Sequence, residues 1–173
     1  MNQIHFQILG ITVPSGEFRF HDDGYIDSFA KKKNELNLKY NPKYPVLIAE
    51  NEGGYERYGG MCTQIGSDIH IYYARFSSRA VDILVRAHEE THALEFMGCL
   101  EYLEDCLYEN QNVKIDLNEV EPKETRISLG ALYALHSRGF SPWITWLRFR
   151  NKDFLNAMKI YRQSKLPHKN LLF

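Results

Sequence analysis

The sequence predicts an α+β fold in a single domain, with residues 1–76 mainly strands plus one helix and residues 77–173 mainly helical. Three observations predict it. Short runs rich in β-branched and aromatic residues, punctuated by glycine and proline, fill the first part. Beyond Ser77 the apolar residues recur at the helical period instead. At 173 residues, 44% hydrophobic and 25% charged, the chain is also long enough to bury one core without disulfide staples.

Taken in order, Ile4 to Val13 and Glu17 to Phe20 read as strands joined through the turn-forming Pro14-Ser15-Gly16. A helix follows from about Tyr25 to Leu38, with Ile26, Phe29, Ala30 and Leu36 on its apolar face, and Pro42 and Pro45 stop it. Val46 to Ala49 suits a buried strand. Met61 to Ile65 and Asp68 to Tyr73, separated by Gly66-Ser67, form a hairpin that leads toward the next helix. Ser77 or Ser78 is the natural N-cap of that helix and Gly98 its natural stop.

Spacing divides this helix into two faces. Val81, Leu84, Val85, His88, His92 and Phe96 form an inward stripe, and Arg79, Asp82, Arg86 and Glu90 form a polar one with Asp82/Arg86 and Arg86/Glu90 as four-apart ion pairs. A metal held by the two histidines would therefore sit between this helix and whatever packs over it. After Gly98 a helix is expected from Leu100 to about Tyr108, then a polar connection through Asn112. Pro122 to His136 forms the next, ended by Gly139. Ser141-Pro142 opens another, carrying Trp143, Ile144, Trp146 and Leu147. The last spans Phe154 to Gln163, before a loosely held basic tail from Lys165 to Phe173.

The chemistry is concentrated in Ala87-His88-Glu89-Glu90-Thr91-His92-Ala93-Leu94. Residues four apart on a helix stack on one face, so His88 and His92 can reach one small ion while Glu89 flanks them. This is the H-E-x-x-H arrangement of zinc hydrolases, in which the carboxylate takes a proton from metal-bound water. A catalytic zinc usually has three protein ligands. The extended H-E-x-x-H-x-x-G-x-x-H pattern is excluded, because Glu95 and Gly98 stand where its glycine and third histidine belong. A downstream carboxylate is the other solution, and Glu119, Glu121 and Glu124 cluster at a helix entrance. Facing favours Glu124, which shares a stripe with Ile127, Ala131 and Leu135, while Gly130 allows close helix approach. Glu121 aligns with Thr125 and Ser128 instead, and Glu119, Asp105 and Asp116 stay open as alternatives.

The other histidines read as structural. His136 lies too far along its helix from Glu124 to share an ion, and His70 points away from the face of Ile69 and Ile71. Cys62, Cys99 and Cys106 are an odd number without C-x-x-C spacing, which argues against a disulfide framework and for a reducing, cytoplasmic setting. Met1 to His5 lacks a basic n-region, and no apolar run is long enough to span a bilayer, so neither a signal peptide nor a membrane partner is expected. The net charge of −1 hides asymmetry: Glu101 to Glu124 holds eight acids against two lysines, and Arg148 to Phe173 seven Lys/Arg against one Asp. Two solvated surfaces account for it, and nucleic acid is not an expected partner.

On the histidine motif, the glycine-rich hairpin ending at Tyr73 and the later acidic helix with Glu124, the chain resembles the zincin metallopeptidases. Within them it is similar to the carboxylate-ligand gluzincins, including compact ImmA/IrrE-like peptidase domains. The resemblance covers roughly Tyr55 to His136. It departs at Ser128, which stands where the Glu-x-x-x-Asp helper of larger gluzincins has its aspartate. It implies a small twisted sheet packed on the motif helix, with Asp68 to Tyr73 as an edge strand above the metal that pairs with an extended peptide. It further implies a zinc ion on His88, His92 and Glu124, peptide or protein substrates, and Glu89 as the general base. Two rivals belong to other classes: a zinc-bearing scaffold with Glu89 incidental, and a nucleic-acid or protein-binding module built on the basic tail with Phe149, Phe154 and Tyr161.

Overall fold

Eight strands and four α-helices are described by the computed structural model, which covers residues 3–14, 19–22, 38–41, 46–51, 54–58, 60–73, 79–108, 115–140 and 151–164. The run from Ile4 to Val13 is two strands, not one. β1 (Gln3–Phe6) pairs antiparallel with β2 (Ile11–Pro14), from Gln3 opposite Pro14 to Phe6 opposite Ile11. Gly10 makes the reversal, at φ +71°, a left-handed conformation that glycine adopts without cost from a Cβ, and its N–H donates to the Phe6 carbonyl at 2.8 Å. Along β2, Ile11 and Val13 point inward while Thr12 and Pro14 are exposed.

The expected hairpin forms from β7 (Gly60–Ile65) and β8 (Asp68–Tyr73), with Ile65 opposite Asp68 and Gly66 at φ +62° in the turn. Its place in the sheet differs from expectation. β3 (Arg19–Asp22) pairs in parallel with the other side of β8, so the order is β3-β8-β7 and β8 is the central strand. The side chains account for this: Ile69 and Ile71 are fully buried on one face of β8 and Tyr72 is buried on the other, the pattern of a strand covered on both sides. β7, with partly exposed Thr63 and exposed Gln64, is the outer strand among the described residues. A second antiparallel sheet is a meander of β4 (Leu38–Asn41), β5 (Val46–Asn51) and β6 (Gly54–Tyr58). Leu38 thus begins a strand where a helix end was expected. The rest of that helix, the Ser77/Ser78 cap, the Asn112 connection, the Ser141 to Leu147 helix and the tail from Lys165 lie outside the described residues.

The helices fall close to their expected bounds: α1 (Arg79–Phe96), α2 (Glu101–Tyr108), α3 (Lys123–Ser137) and α4 (Lys152–Gln163), with a 3-10 turn at Leu117–Glu119. Gly98 and Gly139 stop α1 and α3 as predicted, at φ +67° and +89°. Both ends close with the same pair of bonds. The amides of Cys99 and Gly98 donate to the carbonyls of Leu94 and Glu95, and those of Phe140 and Gly139 to Leu135 and His136. Asn151 caps α4 by accepting from the Asp153 amide at 2.8 Å, and Phe154, Ala157, Met158 and Tyr161 give α4 its buried face against α3.

Helix α3 lies at the centre, packing on α1, α2 and α4. Gly130 lets it approach: a Cβ there would lie 3.0 Å from Leu103 Cδ1 and 3.1 Å from Thr91 Cγ2. From Ala87 on, α1 is enclosed on most of its circumference, with β7 and β8 on one side and α3 on another. Glu90 is therefore not on a solvent face as expected; it is 2% exposed. Its carboxylate accepts the amides of Ile8, at 3.0 Å, and Leu9, at 2.8 Å, so the β1–β2 turn covers the face that spacing alone assigned to water. Arg138 grips the same turn from the other side through the carbonyls of Gln7, at 2.7 Å, and Ile8. The Asp82–Arg86 pair forms as expected, at 3.3 Å.

Replacing Glu90 with alanine leaves two enclosed amides without their acceptor. Urea unfolding of Glu90→Ala is expected to show a loss of about 2–4 kcal/mol relative to the wild type.

Candidate metal centre

The motif places its residues on the α1 surface that faces the first turn of α3. Val81, Leu84 and Val85 of the expected stripe are buried, but the histidines at its far end sit on the rim. The His88 and His92 side chains are 24% and 12% exposed, so they are partly open to solvent and not sealed between helices. Their rings meet edge to face at 4.8 Å between centroids. Glu124 comes from α3 to meet both: its Oε2 lies 3.3 Å from His88 Nε2 and 3.4 Å from His92 Nε2.

These three residues form a group that could hold a metal ion, with one ligand atom from each within 4.8 Å of the others. The donor set fits. Two ligands bound tetrahedrally at ordinary zinc distances stand about 3.3–3.4 Å apart, which is the spacing of Glu124 from each histidine. Hydrogen bonds from His88 and His92 hold the Glu124 carboxyl far below the usual carboxylate range. Of the alternatives, Glu121 is directed to Arg126 Nη1 at 3.2 Å, Asp116 caps the 3-10 turn through the Asn118 amide at 2.8 Å, and Glu119 lies within that turn. The side chain of Asp105 lies outside the described residues.

Ser128 stands at the position of the missing aspartate. One turn beyond Glu124, its hydroxyl lies 3.3 Å from His88 Nδ1. Were a metal to replace the hydrogen bond that Nε2 gives Glu124, Nδ1 could carry the proton and donate to that oxygen, which would leave the Nε2 lone pair for the ion. Helical spacing aligns Ser128 with Glu121 and Thr125, and the resemblance marks it as a departure from pattern. Four-residue spacing from Glu124 was the available signal, because it puts both side chains on one helical face.

Glu89 sits beside this group, 6% exposed, under strand β7. Gly60 makes room for it: a Cβ at that position would fall 2.7 Å from Glu89 Cγ and 2.9 Å from the Tyr72 carbonyl oxygen. The Cys62 amide donates to the carboxylate. Burial pushes the Glu89 carboxyl up to about 7, with nearby Glu124 adding to the rise and His88 and the Cys62 amide opposing it. A carboxyl in that range exchanges a proton readily near neutral pH. Burial likewise drives the neighbouring Cys62 thiol far up, keeping it protonated.

Three further histidines have partners within the fold. His136 is buried and bonded through Nδ1 to the Tyr161 hydroxyl, His5 meets Thr12 Oγ1 at 2.9 Å, and His70 stacks on Tyr72.

Metal analysis of purified variants checks the ligand assignment. Glu124→Ala is expected to lose stoichiometric zinc while Glu121→Ala retains it, and Ser128→Ala is expected to bind zinc about tenfold more weakly than the wild type.

No protein-family model, curated protein or solved structure matches this chain.

Proposed function

We propose that this chain is a zinc-dependent metallopeptidase of the gluzincin type, similar in plan to compact ImmA/IrrE-like peptidase domains, with His88, His92 and Glu124 as ligands and Glu89 as general base. The observation that supports it most is the convergence of two imidazoles and a carboxylate beside a second, buried carboxylate. A zinc ion on these ligands would supply Lewis acidity toward a substrate carbonyl and acidify an attacking water.

The chain's own residues carry the rest. Ser128 orients His88, and the notch at Gly60 with the Cys62 amide aims Glu89. Glu89 accepts the proton of the attacking water and passes it to the departing amine nitrogen. Strand β7, not β8, is the candidate partner for an extended peptide. It lies against α1 over Glu89 and is outermost in its sheet among the described residues. No described helix is long and apolar enough to cross a membrane, and Cys62 and Cys99 are free thiols. A reducing, cytoplasmic setting is part of the proposal.

A fluorescence-quenched random peptide library, incubated with the zinc-loaded full chain, tests it. Cleavage is expected for the wild type, removal of zinc by a chelator is expected to stop it, and Glu89→Gln is expected to slow it by about 10²–10⁴-fold while keeping stoichiometric zinc. Wild-type rates from Glu89→Gln, or cleavage indifferent to the chelator, overturn the proposal.

A further inference from the structure

We infer that Glu95 is a positioning residue for Glu124, and that its ion pairs across the α1–α3 contact set the metal affinity of the site. The inference rests on the metal centre proposed above. Glu95 lies on α1 one turn beyond His92, with its side chain 17% exposed. Its Oε2 meets Lys123 Nζ at 3.0 Å, and its Oε1 takes Arg126 Nη2 at 2.7 Å and Nε at 3.0 Å. Lys123 and Arg126 bracket Glu124 on the first turn of α3. The helix that carries both histidines therefore holds, through Glu95, the backbone on either side of the third ligand.

Three features show why that turn depends on such a clamp. Pro122, at the N-cap of α3, makes no side-chain capping hydrogen bond. Glu124 itself has a half-exposed side chain, so packing contributes little to its position. Arg126 then extends the clamp backward, donating from Nη1 to the Val120 carbonyl at 3.1 Å and to Glu121 at 3.2 Å, so one guanidinium fixes both the helix entrance and its approach. The Glu95–Arg126 pair is mostly shielded, 17% and 14% exposed, and uses two nitrogens of the guanidinium fork; it is a stronger and more directional tie than a surface pair. Lys123 completes the arrangement by lying 5.1 Å above the Phe96 ring. Release of the clamp frees the Glu124 turn, and ordering it again opposes metal binding.

Zinc affinity of the full chain, measured by competition with a chromogenic chelator, tests this. Glu95→Gln is expected to bind zinc about tenfold more weakly than the wild type, and Arg126→Gln, which removes the tie from the other side, by a similar factor. In the Glu124→Ala background the Glu95→Gln change is expected to have no further effect on whatever affinity His88 and His92 retain. That non-additivity separates positioning of Glu124 from a general loosening of the fold. Undiminished affinity in both Glu95→Gln and Arg126→Gln overturns the inference, as does a tenfold loss that persists without Glu124. If Glu95→Gln does not fold, Arg126→Gln alone and in the Glu124→Ala background gives the same comparison. A wild type that takes up no zinc overturns the proposed metal centre itself, a result distinct from any of these.

Discussion

The approach of α3 to α1 at Gly130 sets which side chains of the two helices meet. Thr91 lies between the motif residues and touches the space a Gly130 side chain would occupy. Across the same pair of helices Ser128 reaches His88 and Arg126 reaches Glu95. Glu124 is one turn before Ser128, so one helix brings both side chains to the histidines together. An added methyl at the crossing would force Leu103 and Thr91 aside by a few tenths of an ångström. Close-packed interiors pass such shifts along the element, and a metal centre is sensitive to them.

Adjacent glutamates on α1 illustrate how environment divides labour between like groups. Glu89 and Glu90 are both buried, yet they face opposite ways. Glu90 accepts the amides of Ile8 and Leu9 and serves the fold. Glu89 lies under the Gly60 notch, where the Cys62 amide donates to it and burial dominates its proton affinity. A carboxylate well supplied with donors stays ionised, whereas one enclosed with few donors binds a proton more readily.

Much of this was legible in the residues themselves. The motif helix, its stop at Gly98 and the close approach at Gly130 follow from helical spacing and glycine's backbone freedom, whereas Glu124 meets the histidines from a half-exposed position and not from the core. The missing parts share one property: they depend on partners distant in sequence. Glu90 was assigned to water because a periodicity argument allows a helix one buried face, and here the hairpin at residues 3–14 covers a second. The central place of β8 depends on parallel pairing with Arg19–Asp22, which no local pattern in β8 announces. The run from Ile4 to Val13 concealed its reversal because Gly10 is a lone turn residue within an otherwise strand-like stretch. Ser128 and Gly60 are small residues whose meaning lies wholly in what stands opposite them.

The grip on the Gln7–Gly10 turn carries a kinetic consequence. The turn is bonded to Glu90, 82 residues ahead of Ile8, and to Arg138, 131 residues ahead of Gln7. The hairpin therefore closes against two elements that emerge from synthesis long after it does. Closing such loops costs entropy before any contact repays it, and chains dominated by distant contacts fold slowly. Glu90 thus gains its amide partners only when the beginning of the chain has met α1. In this architecture the enclosure of α1 is completed with the tertiary structure and not ahead of it.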